Sequence, residues 1–279
     1  DKMIYNNYAT IKQLNSFKDE PLSVDLLNRI HQTITEGTLN NPNASGRFRT
    51  AGDESIVVRD NQGNTLFEPP PAEEVVDRIK DLTLFTNTEN KSGEFIHPVV
   101  KAIILHFWLA YVHPFVDGNG RTARALFYWY MLKKNYWVME YLSISHIILK
   151  SPVQYASAYL YSETDDQDLT YFISYNLRVI RAAIERLKRF LFDRQERIKG
   201  YSKVFQEDAS LNLRQKTLLQ HALQHHEHQY SIQSHKNLHQ VTYQTARTDL
   251  LDLAQKGFLN KIKNGNKFYF SLSKKPENR

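Results

Sequence analysis

A chain of 279 residues, 41% hydrophobic and 12% aromatic, has enough apolar surface for one large domain and a smaller one. The lack of cysteine excludes disulfides, thiol catalysis and thiolate metal sites, and no apolar run is long enough to cross a bilayer. The net charge of +6 is uneven: residues 195–279 hold 14 Lys+Arg against 7 Asp+Glu, while residues 1–194 hold 22 against 23, so the basic excess belongs to the C-terminal third.

Residues Asp1 to Tyr5 have neither the basic nor the apolar region of a signal peptide, so the expectation is a soluble, cytoplasmic protein with no membrane contact. Pro21-Leu22-Ser23 opens a helix to about Gly37, with Leu26, Leu27, Ile30 and Ile34 on one face. A Gly/Asn/Pro-rich loop follows. Residues Ser55 to Phe67 then read as a β-hairpin, two β-prone runs around a polar turn, and Val57, Val58, Leu66 and Phe67 supply its apolar positions. Pro69-Pro70-Pro71 ends the hairpin and starts a helix through Val75, Val76, Ile79 and Leu82. Pro98 begins a strongly apolar helix to about Val112. After a glycine-bearing loop another helix runs to about Lys134, with Ala123, Leu126, Phe127, Tyr130 and Met131 on one face and Arg121, Arg124 and Tyr128 on another. A helix from about Tyr171 to Arg194 closes this domain.

The C-terminal grammar is different. Helices are expected over 213–225, 231–239 and 242–256, the last facing inward through Ala246, Leu250, Leu253 and Ala254. Residues 257–270 then read as strand, Asn-Gly-Asn turn, strand. Over roughly residues 200–273 this order resembles a winged helix-turn-helix. The fold class is therefore mostly α: a helical domain (1–194) with a small β-hairpin, then a winged helix-turn-helix-like domain (195–279). Its basic balance leaves DNA contact open beside ordinary surface lysine.

The chemistry is concentrated in His113-Pro114-Phe115-Val116-Asp117-Gly118-Asn119-Gly120-Arg121-Thr122-Ala123-Arg124. Two glycines allow positive φ and close approach of backbone to a ligand. The helix starting there aims free N–H groups and the positive end of its dipole at the loop, so an anion is the natural guest. Arg121 and Arg124 add forks suited to phosphate oxygens. Asp117 offers the hard oxygen that Mg2+ takes when phosphates complete its shell. His113 is a proton acceptor near neutral pH. Taken singly, a His-Pro pair is usually a helix terminus, Gly-Asn-Gly a turn, and two arginines a solvated face. Their convergence within twelve residues favours attack of a hydroxyl on phosphorus.

That string resembles the signature of the Fic (Fic/Doc) family, with every signature position filled. The resemblance extends from about Tyr5 to Phe190, including Gly46-Arg47-Phe48-Arg49, the hairpin and Tyr155. It implies a Fic domain followed by a winged helix, acting as a protein adenylyltransferase: AMP moves from Mg-ATP to a hydroxyl of a target protein, itself included. By the same resemblance His113 deprotonates the hydroxyl, Phe115 anchors the loop in the core, and Asp117 holds Mg2+ between the α- and β-phosphates. Gly118, Asn119 and Gly120 form the anion hole, with Asn119 on the α-phosphate. Arg121 steadies the β-phosphate and Arg124 the γ-phosphate. The hairpin resembles the family flap, which aligns the target segment by strand pairing.

Two alternatives stand beside this reading: a Fic-type phosphotransferase with another donor, and a DNA-binding regulator whose Fic domain senses nucleotide. A homodimer is compatible with either. Many family members carry an inhibitory Ser/Thr-x-x-x-Glu-Gly/Asn helix whose glutamate pairs with the second arginine. Here Glu36-Gly37 is preceded by Gln32 instead of Ser or Thr. The expectation is that this motif lies upstream of Asp1, and that Glu36 merely precedes a helix-capping glycine. Six histidines (221, 225, 226, 228, 235 and 239) lack carboxylate or thiolate partners at metal-site spacing, and read as polar surface.

Overall fold

The computed structural model describes residues 2–53, 56–59, 63, 65–88, 95–225, 227–265 and 267–273. The chain divides into two compact units, Asp1–Leu187 and Lys188–Arg279.

In the first unit, α1 (Lys2–Phe17), α2 (Val24–Thr35) and α4 (Pro98–Val112) pack on α5 (Asn119–Lys133), and α3 (Val75–Asn87) lies against α4. Ser23 caps α2 by accepting the Leu26 N–H, and the helix stops at Glu36 because Gly37 turns left-handed at φ 58°. A 3-10 turn at Ala72–Glu74 leads into α3. Three short or polar elements had no clear periodic signal: α1, α6 (Ile144–Lys150) and α7 (Pro152–Thr164). The closing helix, α8 (Thr170–Glu207), is much longer than its expected end at residue 194.

The two-faced reading of α5 fails at Tyr128. Eleven of its fifteen residues are buried, Tyr128 among them. The phenol donates to the Leu142 carbonyl at 2.6 Å and accepts the Ile144 N–H at 2.9 Å, and burial pushes its pKa up to about 12. A helix surrounded by neighbours has no solvent face for a polar stripe to mark.

The hairpin pairs β1 (Val58–Arg59) with β2 (Thr65–Phe67), antiparallel, with Val58 opposite Phe67 and Arg59 opposite Thr65. It is shorter than its sequence suggests, and Val57 lies just before β1. Ser55 and residues 60–62 and 64 of the expected turn lie outside the described residues.

The second unit contains α9 (Leu213–Gln224), β3 (Tyr230–Ser231), α10 (Ile232–His239), α11 (Tyr243–Gln255), β4 (Leu259–Asn264) and β5 (Lys267–Leu272). The sheet order is β3-β5-β4, antiparallel throughout. Phe205 from the end of α8, Leu219, Ala246, Leu250, Leu253 and Phe270 fill its core. Asn212 with Gln215 and Ser231 with Ser234 form reciprocal caps that start α9 and α10.

The reading of the histidines as polar surface needs correction at His235. It is buried and meets the Asp249 carboxylate at 3.2 Å. Asp249 also accepts hydrogen bonds from Asn212 (2.7 Å) and Arg214 (2.8 Å). Burial opposes its charge, but these bonds outweigh burial and hold the carboxyl below its ordinary range. His221 Nδ1 lies 2.6 Å from the Tyr230 hydroxyl. No cluster of three metal-ligating side chains occurs among the described residues, and His226 lies outside them.

Candidate functional site

The site is built where α4 ends and α5 begins. His113 caps α4 in the left-handed region (φ 49°), its N–H returning to the Leu109 carbonyl at 3.0 Å. Its Nδ1 lies 2.7 Å from the Ala110 carbonyl oxygen. A carbonyl only accepts, so Nδ1 carries the proton and Nε2 keeps its lone pair. Burial pulls the imidazole pKa below its ordinary value, more than the Ala110 hydrogen bond raises it. At neutral pH this group is a neutral base.

The loop between the helices is held on several sides. Arg49 donates from Nε to the His113 carbonyl (2.7 Å) and from Nη2 to the carbonyls of Val112 (3.3 Å) and Pro70. Its backbone N–H reaches the Pro114 carbonyl at 2.8 Å. Phe115 is fully buried, stacked on the His31 ring at 3.8 Å and meeting Phe48 edge-on at 5.3 Å.

His31 itself spans two loops. Its Nδ1 accepts the Gly46 N–H at 3.0 Å, which leaves the proton on Nε2 to be donated to the Asp117 carbonyl at 2.9 Å. Burial keeps this imidazole neutral by lowering its pKa. Gly118 follows at φ 83°, and a β-carbon there would lie 2.5 Å from Thr35 Cγ2. Only glycine fits.

The Asn119 side chain is taken up within the loop itself. Its carboxamide accepts the Phe115 N–H at 2.8 Å and donates to the Phe115 carbonyl at 2.7 Å. With its side chain buried in that clamp, Asn119 offers the cleft its backbone N–H. The physical reason is local: a carboxamide four residues after Phe115 can satisfy both of its backbone groups at a tight turn.

No side chain caps α5 at Gly118, so its first N–H groups open into a cleft of about 290 Å³. His113, Val116, Asp117, Gly118, Gly120 and both arginines line that cleft. Arg121 is already engaged, donating to Thr38 Oγ1 (2.6 Å) and pairing with Asp117 Oδ2 (3.2 Å). The Asp117 carboxylate also accepts the Gly118 N–H and is 54% exposed. Its donor set, one accessible carboxylate, suits a Mg2+ whose remaining ligands are phosphate and water rather than a protein cage. Arg124 is half-buried and donates no hydrogen bond to, and forms no ion pair with, another described residue. A β-carbon on Gly120 would lie 3.5 Å from Arg124 Nη1, so the guanidinium reaches back to the first turn of α5.

Residues 21–131 match the model of the Fic/DOC family. The chain carries a Fic/DOC family domain. This Fic domain is similar to protein adenylyltransferase Fic of Nematostella vectensis, 34% identical over 120 residues that make up 42% of this chain and 25% of that protein. It is also similar to protein adenylyltransferase fic-1 of Caenorhabditis elegans, 33% identical over 132 residues, 46% of this chain and 23% of that protein. The matched segment thus spans about a quarter of these relatives' length. In fold, the chain is similar to a Fic family protein from Desulfovibrio desulfuricans G20, with TM-score 0.58, 19% identity, and coverage of 99% of this chain and 76% of that one.

The hairpin adjoins the Fic loop through Phe67, whose ring lies 5.2 Å from that of Tyr111, two residues before His113. Val57 is half-buried. Behind Arg124, the half-buried Tyr155 and the buried His106 are paired at 3.2 Å. Burial, assisted by the Arg124 charge, takes the His106 pKa to about 3. No hydrogen bond or ion pair joins the Glu36 carboxylate to Arg124 among the described residues; the Glu36 carbonyl accepts from Asn6 at 2.8 Å.

His31 was missed from sequence because a lone histidine on an apolar helix face reads as core. The one available signal was its polarity within the otherwise aliphatic stripe of Leu27, Ile30 and Ile34.

Proposed function

We propose that the Fic domain is a protein adenylyltransferase that moves AMP from ATP to a side-chain hydroxyl of a protein, itself included. One observation carries this reading: a neutral imidazole lines the same small cleft as an uncapped helix N-terminus and the Arg124 guanidinium, and neither the imidazole Nε2 nor that guanidinium has a hydrogen-bond partner among the described residues. The first is what a hydroxyl nucleophile needs, and the other two are what a polyphosphate needs.

In this mechanism the N–H groups of Asn119, Gly120 and Arg121 bind the α- and β-phosphate oxygens, and Arg124 takes the terminal phosphate. The target hydroxyl oxygen attacks the α-phosphorus while its proton passes to His113 Nε2. The bond from the α-phosphorus to the bridging oxygen breaks, and pyrophosphate leaves. Asp117 would hold Mg2+, which when bound offsets charge on the phosphates. His31, Arg49 and the Asn119 carboxamide keep the loop in place. The edges of the two-stranded β1–β2 hairpin offer backbone groups to an extended target segment beside Val57, Val58, Leu66 and Phe67.

Incubation with α-labelled and γ-labelled ATP tests the proposal. Label is expected on protein from the α position only. Transfer from the γ position only would replace AMP transfer by phosphoryl transfer.

A further inference from the structure

Of the two arginines in the cleft, Arg121 is already placed, and part of its placement comes from outside the loop. Thr38 follows α2, just after the turn that Gly37 makes at φ 58°. Its N–H and its hydroxyl both donate to the Thr35 carbonyl, each at 2.9 Å. A threonine hydroxyl has one proton, so with that proton committed the oxygen can offer a neighbour only its lone pairs. One of them accepts from Arg121 Nη1 at 2.6 Å. The bond spans 83 residues of sequence and sets the guanidinium beside the C-terminal end of α2, the negative end of that helix's dipole. Arg121 Nη2 also donates to Asp117 Oδ2 at 3.2 Å, and the arginine side chain is only 15% exposed.

The two bonds are not equivalent once the site is loaded. Asp117 is the carboxylate placed to hold Mg2+, and a dication on it would repel the guanidinium. Thr38 is uncharged and lies outside the cleft lining, so its bond to Arg121 has no such competitor. We infer that Thr38 is a positioning residue, whose hydroxyl holds the Arg121 guanidinium in the cleft ready for the second phosphate of the nucleotide. The inference rests on the adenylyltransferase reading, which gives the α-phosphate to His113 and the α5 N–H groups and leaves the next phosphate to a neighbouring cation. Its physical basis is preorganisation. Arginine is among the side chains with most rotamer entropy to lose, and a guanidinium fixed beforehand spares the ligand that ordering cost. Arg124 has no such tether among the described residues.

The test compares ADP with AMP by calorimetry on the full chain at fixed Mg2+, because the two ligands differ only by the second phosphate. The parent should bind ADP more tightly than AMP. Thr38→Val removes the hydroxyl and keeps the branched shape. Its ADP affinity should fall about 2- to 12-fold, the ordering cost of one long side chain, while its AMP affinity stays at the parent value. Thr38→Ser keeps the hydroxyl and should bind both ligands as the parent does. Equal losses for ADP and AMP would make Thr38 a purely structural residue and overturn the inference. So would an unchanged ADP affinity in Thr38→Val, or a Thr38→Ser variant as weak as Thr38→Val. A parent that binds ADP no more tightly than AMP would overturn it as well. α-Labelled ATP then separates the two failures: label on protein leaves AMP transfer standing, and absence of label removes both.

Discussion

Replacing Asn119 by alanine separates two roles that the same residue could play. If the carboxamide mainly touched a phosphate, its loss would weaken nucleotide binding and leave the fold untouched. In the structure it instead satisfies both the N–H and the carbonyl of buried Phe115. Alanine orphans those two backbone groups, each worth about 1–3 kcal/mol when left unpaired, so the expected destabilisation is about 3 kcal/mol. Trp108, Trp129 and Trp137 are the only tryptophans, and all lie within residues 1–187, so their fluorescence in a urea titration reports on this unit alone. With a slope of about 2 kcal/mol/M, the midpoint should fall by about 1.5 M. ATP affinity, measured by calorimetry, should fall as well because the loop loosens. An unchanged urea midpoint together with weakened ATP binding would refute the clamp and return Asn119 to the phosphate.

Further expectations concern the base, the arginine and the buried histidine. His113→Ala should abolish transfer while leaving ATP affinity nearly unchanged in calorimetry, since the imidazole acts only in the chemical step; equal loss of binding would contradict the role. Because burial lowers the His113 pKa, the unprotonated base persists to more acid pH. The acid limb of the transfer rate should therefore lie below the ordinary imidazole value of about 6.5, and a limb at or above it would show that burial does not govern this group. Arg124→Ala should weaken ATP more than ADP, and matched losses would remove it from the terminal phosphate. His31→Ala deletes the bridge from Gly46 to Asp117 and the stack on Phe115, and should lower the urea midpoint by about 1 M. An unchanged midpoint and transfer rate would show that the loop stands without it.

The legible part of this protein was local. Gly118, Gly120, Arg121, Arg124 and His113 stand within twelve residues across one helix junction, so chain connectivity alone brings their backbones together. The helices of the second unit were legible for a similar reason: each buries one stripe, and its period is written in Leu219, Leu250 and Leu253. The failures lie where burial is not one-sided or where elements are short. α5 is packed on nearly every side, so Tyr128 carried no sign of its inward direction. α6 has seven residues, too few for a period to appear, and β3 has two.

By itself the sequence determined a glycine-bearing turn at a helix start, with an imidazole before it and two guanidinium groups after it, because these depend on residue identity and near-neighbour spacing. Tertiary structure alone decided what holds that loop: His31, 86 residues from Asp117, and Arg49, 64 residues from His113. It also decided that the Asn119 carboxamide turns inward while Arg124 finds no hydrogen-bond or ion-pair partner among the described residues. Those outcomes depend on which buried donors find acceptors once the chain is packed, and spacing along a chain carries no record of that.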